Sequence, residues 1–311
     1  MKTIVPAYYP LFKCIADKCN HSCCVDWEID IDPLSYQRYQ NMTGEWGERI
    51  RKQIVCDNGT ASFQLTSEKR CPFLQTNGLC SMILALGEES LCQICTDHPR
   101  FRNFYTNRTE IGLGLCCEEA CRLVLTQKEP VRLITLAGKA EKNEVPAQEN
   151  ANIKWRNRML QLVSDRRYSL NRRIEMLSFF EKINLQSLFS KNWIHFFLKL
   201  ERLDEEWITR LENTVWLEGI SQIAEKWETP FEQLLHYLVF RHLSVAELPH
   251  NERKIKTAFA LLALHLIHCI FLSARSSKIN ELIEIVRLFS SEIEYSDLNR
   301  QMIMTEIQRI M

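Results

Sequence analysis

Beyond about residue 153, apolar residues recur every three or four positions, with polar and charged residues between them. That period predicts helices over 155–163, 173–183, 187–203, 205–217, 231–243, 252–274 and 279–289. The stretch 257–274 is apolar almost throughout, yet it carries His265 and His268 in its middle with Cys269 beside them. Two imidazoles at that depth are costly in lipid, and about 20 residues are wanted for a span, so a buried core helix is expected. Before residue 130 the pattern breaks into shorter pieces. Asp32-Pro33 predicts a helix start, with Asp as the cap and Pro in the first position, on a helix carrying Tyr36, Tyr39 and later Trp46. Residues 87–95 read as a short helix with Cys92 and Cys95 on one face. Residues 102–115 alternate around Thr106-Asn107 as a β-hairpin, and 118–127 turn helical again. Residues 137–152 are polar, contain Pro146 and have no apolar period, which reads as a linker or exposed loop.

The expected architecture is therefore mainly α. An irregular cysteine-rich domain with a small β-hairpin occupies 1–130, a linker or exposed loop 131–152, and an all-α domain 153–311. Lys and Arg number 39 and so do Asp and Glu, so no overall basic field is available for nucleic acid. Lys154, Arg156, Arg158, Arg166, Arg167, Arg172 and Arg173 read as a solvated helical face. The first residues lack the apolar core of a secretory leader, so a cytoplasmic location with reduced thiols and no membrane insertion is expected.

Composition changes this picture at one point. Of 13 cysteines, 12 lie between Cys14 and Cys121, and Cys269 stands apart. They cluster as Cys14-x4-Cys19-x3-Cys23-Cys24, Cys71 and Cys80, Cys92-x2-Cys95, and Cys116-Cys117-x3-Cys121. With disulfides disfavoured in a reducing compartment, thiolate ligation of zinc or an iron–sulfur cluster is the leading account. Cys14, Cys19, Cys23, Cys24, Cys71, Cys80, Cys92, Cys95 and Cys117 are the candidate ligands. In an extended segment the neighbours Cys23 and Cys24 point opposite ways, so one can bind while the other packs or serves a second site. Cys56, before Asp57-Asn58-Gly59, reads as incidental, and Cys269 as a small core hydrophobe.

The opening Cys14-IADK-Cys19-NHS-Cys23-Cys24-VD-Trp27-EIDID resembles that of the flagellin lysine-N-methylase family. So do Arg70-CPFL with Gly78-Leu79-Cys80, the run 86–95 closing with His98-Pro99-Arg100, and Leu115-CCEEACRL. A looser likeness extends to proteins named for a CxxCxxCC zinc- or iron-chelating motif. The match covers about residues 5–127, with a weaker helical block at 235–242. Asp26 stands where the family usually has glycine before the tryptophan. Cys116 and Cys121 stand where it has small residues, so ligand status is not carried onto them. The resemblance implies methyl transfer from S-adenosylmethionine to lysine ε-amino groups of flagellin, and a bound 4Fe–4S cluster, with zinc as the alternative.

Other methyl-transfer signatures are missing. A dinucleotide-type glycine loop is limited to Gly112-Leu113-Gly114, and the CxxxCxxC run of radical enzymes fails at Asp26 and at Val124. Candidates for the chemistry are therefore placed by location. Tyr36, Tyr105, Asp30 and Arg241 are the catalytic candidates, and Trp27, Tyr39 and His242 the cofactor-binding ones. Aromatic faces suit a sulfonium and a lysine stem, and a carboxylate can take the proton lysine must lose. Arg241 and His242 are expected to face a cleft, and His98 to be a ligand, a donor to one, or part of a turn. The rival reading is a non-enzymatic zinc- or iron–sulfur-binding adaptor.

Overall fold

The computed structural model describes residues 1–57, 59–138, 144–219, 221–244 and 249–311. In chain order the elements are β1 (Lys2–Pro6), β2 (Asp30–Ile31), α1 (Pro33–Asn41), α2 (Gly44–Lys52), β3 (Ile54–Asp57), β4 (Thr60–Phe63), α3 (Ser81–Leu86), α4 (Gln93–Asp97), β5 (Arg100–Phe104), β6 (Arg108–Leu113), α5 (Glu118–Leu125) and β7 (Leu133–Ala137). Helices follow: α6 (Ala147–Val163), α7 (Leu170–Phe180), α8 (Leu185–Ser190), α9 (Ile194–Phe197), α10 (Glu205–Glu212), α11 (Glu225–His242), α12 (His250–Ser273), α13 (Ile279–Phe289) and α14 (Asp297–Ile310). A π-helical turn, Ser290–Glu294, separates α13 from α14. The chain is mainly helical, with a small β component.

Two compact units form. The helical unit comprises Met1–Phe12, Arg102–Cys116 and Ala120–Met311, and the thiol unit Lys13–Phe101 with Cys117–Glu119. The division is thus discontinuous in sequence, because strand pairing draws the chain's first residues into the helical unit. β1 runs parallel to β6, with Lys2 opposite Arg108, and antiparallel to β7, with Pro6 opposite Leu133. The sheet order is β5-β6-β1-β7. A strand and the start of α6 therefore occupy much of 131–152, where a linker was expected; residues 139–143 of that stretch lie outside the described residues.

In the helical unit, α11 packs on α6 and α12, and α12 also meets α13 and α14. Every residue from Ala258 to Phe271 in α12 is buried, which satisfies an all-apolar helix without lipid. His265 Nε2 reaches Leu217 O at 2.8 Å and His268 Nδ1 reaches Ser221 Oγ at 2.7 Å. The expected single helix over 187–203 is broken between α8 and α9. There Asn192 Oδ1 accepts from Ile194 N at 3.0 Å, and Trp193 Nε1 turns back to Leu188 O at 2.9 Å, a local side-chain bond that competes with helix.

The basic run is not uniformly a solvated face. Arg173 is 1 % exposed and its guanidinium binds Val163 O and Glu232 Oε2, at 2.6 and 2.5 Å. Arg156, also 1 % exposed, grips Glu110, which Arg108 approaches at 2.6 Å. Buried guanidinium groups need such partners, since an unpaired charge in the interior is prohibitive.

The thiol unit has a smaller core, in which Ile29, Ile31, Tyr39, Ile50, Phe63, Phe73 and Met82 pack together with Cys71 and Cys92. Its three strands follow the order β2-β4-β3. Asp32 caps α1 as its sequence predicts, accepting from Ser35 N at 2.9 Å. The helix ends at Asn41, so Trp46 belongs to α2 instead. Asn58, in the turn after Cys56, lies outside the described residues.

Candidate metal centre

α1 positions the Cys92–Cys95 segment. Asp32, Ser35, Arg38 and Tyr39 recur at helical spacing on one face. From it, Arg38 donates to Glu89 O, Ser90 O and Leu91 O at 2.9, 3.1 and 2.7 Å. Tyr39 Oη donates to Ser90 O at 2.7 Å, and Asp32 Oδ2 accepts from Gln93 N at 2.8 Å. Arg38, Tyr39 and Asp32 thereby fix the segment entering α4, and Cys92 becomes the residue before its first turn. The Cys92 and Cys95 sulfurs then lie 3.6 Å apart. Two thiolates on one tetrahedral zinc ion stand about 3.8 Å apart, from Zn–S bonds near 2.3 Å.

Cys71 is brought to the same core by backbone bonds. Its N–H donates to Cys24 O at 2.8 Å, next to a bridge between Val25 and Arg70. Cys80 follows through a bridge from Leu74, and Ser81 ties back to Phe73 O through both N and Oγ, at 2.8 and 3.0 Å. Cys24, Cys80 and Cys95 pack on the core that contains Cys71 and Cys92.

Cys19 is tied elsewhere. Its sulfur donates to Glu118 Oε2 at 3.7 Å, and Asn20 donates to the same carboxylate through N and Nδ2, at 2.8 and 3.0 Å. Glu118 therefore clamps Cys19 beside Cys117, its own chain neighbour. The Cys14 sulfur accepts from Ala16 N at 3.4 Å.

Protonation behaviour follows this crowding. Cys19 is pushed up to about 11 by burial, reinforced by Glu118 and Cys117. Cys71 is pushed up to about 12, mainly by burial, with Cys24 and Cys80 adding to the effect. Cys23 and Cys24 share a hydrogen bond that raises Cys23 and lowers Cys24 to about 7, the latter helped by Ser22 and Arg70. Cys95 is raised and Cys92 lowered by their mutual hydrogen bond. Thiols that hold their protons through burial and through neighbouring thiols are the donors a cation would deprotonate on binding.

Among the described residues, no group of three or more His, Cys, Asp or Glu side chains is arranged as a ready single-ion site. The donor chemistry nevertheless fits a thiophilic metal. A cluster spreads its thiolates over several irons, so its ligands need not converge on one point.

The other sequence candidates divide between the units. In the thiol unit Asp30 is exposed on β2, and Tyr36 pairs with Cys56. Tyr39 is fully buried, and the Trp27 ring centre lies 6.5 Å from that of His98. Burial holds His98 neutral, its pKa lowered to about 4. In the helical unit Tyr105 is buried beside the Glu110–Arg156 pair. His242 Nε2 lies 2.6 Å from Glu294 Oε1, and Arg241 Nη1 donates to Tyr237 Oη at 2.9 Å. Tyr237 Oη in turn donates to Glu294 Oε2 at 2.8 Å. Arg241 and His242 are thus bound into a buried network around Glu294, on the π-helical turn. Gly114 is there for packing: a Cβ on it would lie 2.1 Å from Tyr295 Oη and 3.1 Å from Arg241 Nη1. Among the described residues the sheet around Gly112–Gly114 runs β5-β6-β1-β7, with no alternating βαβ order.

Glu118 and Glu294 were not singled out in the sequence. Glu118 had a usable signal, an acid directly after a candidate ligand. Glu294 had none, because the π-helical turn that aims it leaves no local pattern.

Cys116, Cys121 and Cys269 fall in the helical unit. Cys121 Sγ donates to Ile283 O at 3.4 Å, Cys116 lies against Tyr295, and Cys269 lies 3.6 Å from His265 Nε2.

The chain is 25% identical over 134 residues, 41% of its own length, to the flagellar biosynthetic protein FliU of Salmonella muenchen, of which the match covers 79%. It is equally similar to lysine-N-methylases of Salmonella typhimurium and Salmonella choleraesuis, of which the match spans only 33%. No family model matches the chain, and no solved structure does. The likeness is at family level, to proteins named for lysine methylation and flagellar biosynthesis.

Proposed function

We propose that this chain methylates lysine side chains of flagellin, taking the methyl group from S-adenosylmethionine, with its thiol unit built around a cysteine-ligated 4Fe–4S cluster. The observation that carries the reading is the gathering of all nine candidate ligands into one compact unit, together with the likeness to the lysine-N-methylases. In the transfer, a neutral lysine Nζ attacks the sulfonium methyl carbon. The carbon–sulfur bond breaks with its electron pair going to sulfur, and the proton lost from Nζ passes to a base. Asp30 and Tyr36 are the catalytic candidates on the thiol unit, and Asp30 is exposed enough to meet a protein substrate. Bound among the thiolates, the cluster supplies cross-links between loops remote in sequence.

The test is direct. The full chain, purified without oxygen, is incubated with S-adenosylmethionine and flagellin, and the flagellin is read by intact mass. Methylene-sized increments that need both donor and chain support the reading. Unchanged flagellin, with no binding of the donor, favours the adaptor. One observation keeps the adaptor in view: the relative covered over most of its length is named for flagellar biosynthesis and not for methylation.

A further inference from the structure

We infer that the groove between α12 and α14, in the helical unit, binds a small molecule by an α-amino-acid head, with its carboxylate on Lys256 and its ammonium on Glu252. The ligand's identity as the methyl donor rests on the methyl-transfer reading above, because S-adenosylmethionine carries such a head.

Helical spacing builds both walls. On α12, Glu252, Ile255 and Lys256 stand three and four positions apart and share a face. On α14, Gln301, Met304, Thr305 and Gln308 do the same. The two helices pack on each other, and Ile303 and Ile307, on the neighbouring face of α14, are fully buried. The groove beside that seam encloses about 310 Å³, at the lower end of the roughly 300–1,000 Å³ of small-molecule sites. Ile255, Met304 and the Lys256 stem supply apolar wall. Gln301 and Gln308 each bring an amide that both donates and accepts. Thr305 Oγ1 donates to Gln301 O at 2.8 Å, which leaves its lone pairs for a donor on the ligand. These groups suit the sugar hydroxyls and base edge of a nucleoside.

Charge decides the head. Glu252 precedes Lys256 by four positions, the spacing at which the two residue types commonly pair on a helix. Among the described residues neither is in an ion pair. Arg300, on the same helix as Met304, adds a second positive charge: its guanidinium bonds Asp297, while its Nε is buried with no partner among the described residues. Burial holds half-buried Lys256 below the ordinary ammonium range, Arg300 presses the same way, and Glu252 opposes them. An ammonium drawn part-way out of water near another cation favours a carboxylate partner, which makes a charge-assisted hydrogen bond with it. Glu252, exposed at the start of α12, is left for the ligand's own ammonium.

The experiment treats the full chain, purified without oxygen, briefly with an acetylating reagent and reads modification of Lys256 by peptide mass spectrometry. S-adenosylhomocysteine, methionine and adenosine are the probes. The first keeps head and nucleoside but has no methyl group to transfer, the second keeps the head, and the third lacks it. The expected result is strong protection by S-adenosylhomocysteine, weaker protection by methionine and none by adenosine. Methionine protecting as well as S-adenosylhomocysteine supports the head and overturns the donor as its source. No protection by any probe, or protection by adenosine equal to that by S-adenosylhomocysteine, overturns the site.

Lys256→Met and Glu252→Gln keep the bulk of each side chain and remove its charge. Calorimetry should show the affinity for S-adenosylhomocysteine falling by roughly tenfold or more in each. Unchanged affinity in both overturns the site. Methylated flagellin with donor affinity unchanged in Lys256→Met overturns the groove and leaves methyl transfer standing. Protection of Lys256 with unmodified flagellin supports the groove and overturns the methylase reading instead.

Discussion

The Asp32 carboxylate serves two helices at once, accepting from Ser35 N at 2.9 Å to start α1 and from Gln93 N at 2.8 Å to start α4. Burial works against its charge, but these backbone donors outweigh it and carry the pKa down to about 2. Asp32→Ala removes a cap from each helix and is expected to cost about 1–2 kcal/mol, read by urea denaturation. It also frees the Cys92–Cys95 segment, so metal content per chain falls. Asp32→Asn keeps one acceptor oxygen and falls between the two. An alanine variant with unchanged stability and metal would remove α1 from the account of how that segment is held.

Acid should weaken the helical unit in two stages. Burial lowers His265 and His268 to about 4 and His236 to about 3. Their folded pKa lies below the ordinary 6.5, so the unfolded chain binds more protons in that interval and stability falls as pH drops from 6.5 toward 4. Each such group costs about 1.4 kcal/mol per pH unit while it titrates. Urea midpoints at pH 7, 6, 5 and 4 test this; a flat series would show that these imidazoles are not held neutral.

Glu294 governs the second stage. Burial raises its pKa, but Arg241 and His242 overcome that and hold it at about 2. The carboxylate's contribution is complete above about 4.5 and is lost as pH falls toward 2. Glu294→Gln removes the carboxylate that Arg241 faces at 3.5 Å and is expected to cost roughly 3–5 kcal/mol at pH 7. It should also abolish the low-pH limb while leaving the histidine limb in place. A variant that keeps the low-pH limb assigns it to other carboxylates.

Gly114→Ala tests the packing on this network from the other side. Its new Cβ meets Tyr295 Oη and the Arg241 guanidinium, and overpacking of this kind costs about 1–3 kcal/mol. Thermal unfolding reads the loss, and an unshifted midpoint would mean that the Tyr295 ring moves aside freely.

Asp26 takes φ +63°, the left-handed region, and its N–H bonds Lys69 O at 2.9 Å. Asp tolerates that conformation better than most residues, and glycine adopts it freely. Asp26→Gly is expected to leave stability almost unchanged. Asp26→Val should cost about 1–2 kcal/mol, measured by denaturation. Equal stability in the two variants would show that this backbone conformation relaxes without cost.

What the sequence disclosed here depended on the range of the interaction. The Asp32 cap, α13, the hairpin at 102–115 and the buried course of α12 are local patterns, and all were legible. β1 was not, because Lys2–Pro6 becomes a strand only through partners more than a hundred residues away. α14 escaped notice because its buried face is narrow, with Asn299, Ile303 and Ile307 its buried residues. In the candidate centre the ligand types were legible, but their grouping was not. That grouping is made by Glu118 and by the α1 side chains, acting on residues tens of positions away in sequence. Asp26 stands at a left-handed backbone angle that glycine adopts freely and Asp tolerates, which no composition could reveal.

The pairing of Lys2 with Arg108 has a consequence for the order of events on the ribosome. β1 is made first but has no neighbour until β6 emerges about a hundred residues later, several seconds at ordinary elongation rates. In that interval Cys24, Cys71, Cys92 and Cys95 are all available, while Cys117 is still to come. The core around Cys71 and Cys92 can therefore gather before either flanking strand of β1 exists. Pairing of β6 with β1 and arrival of Cys117 then follow within a few residues of each other, and β7 completes the sheet about twenty residues later, so the later steps of assembly are timed by the chain's own synthesis.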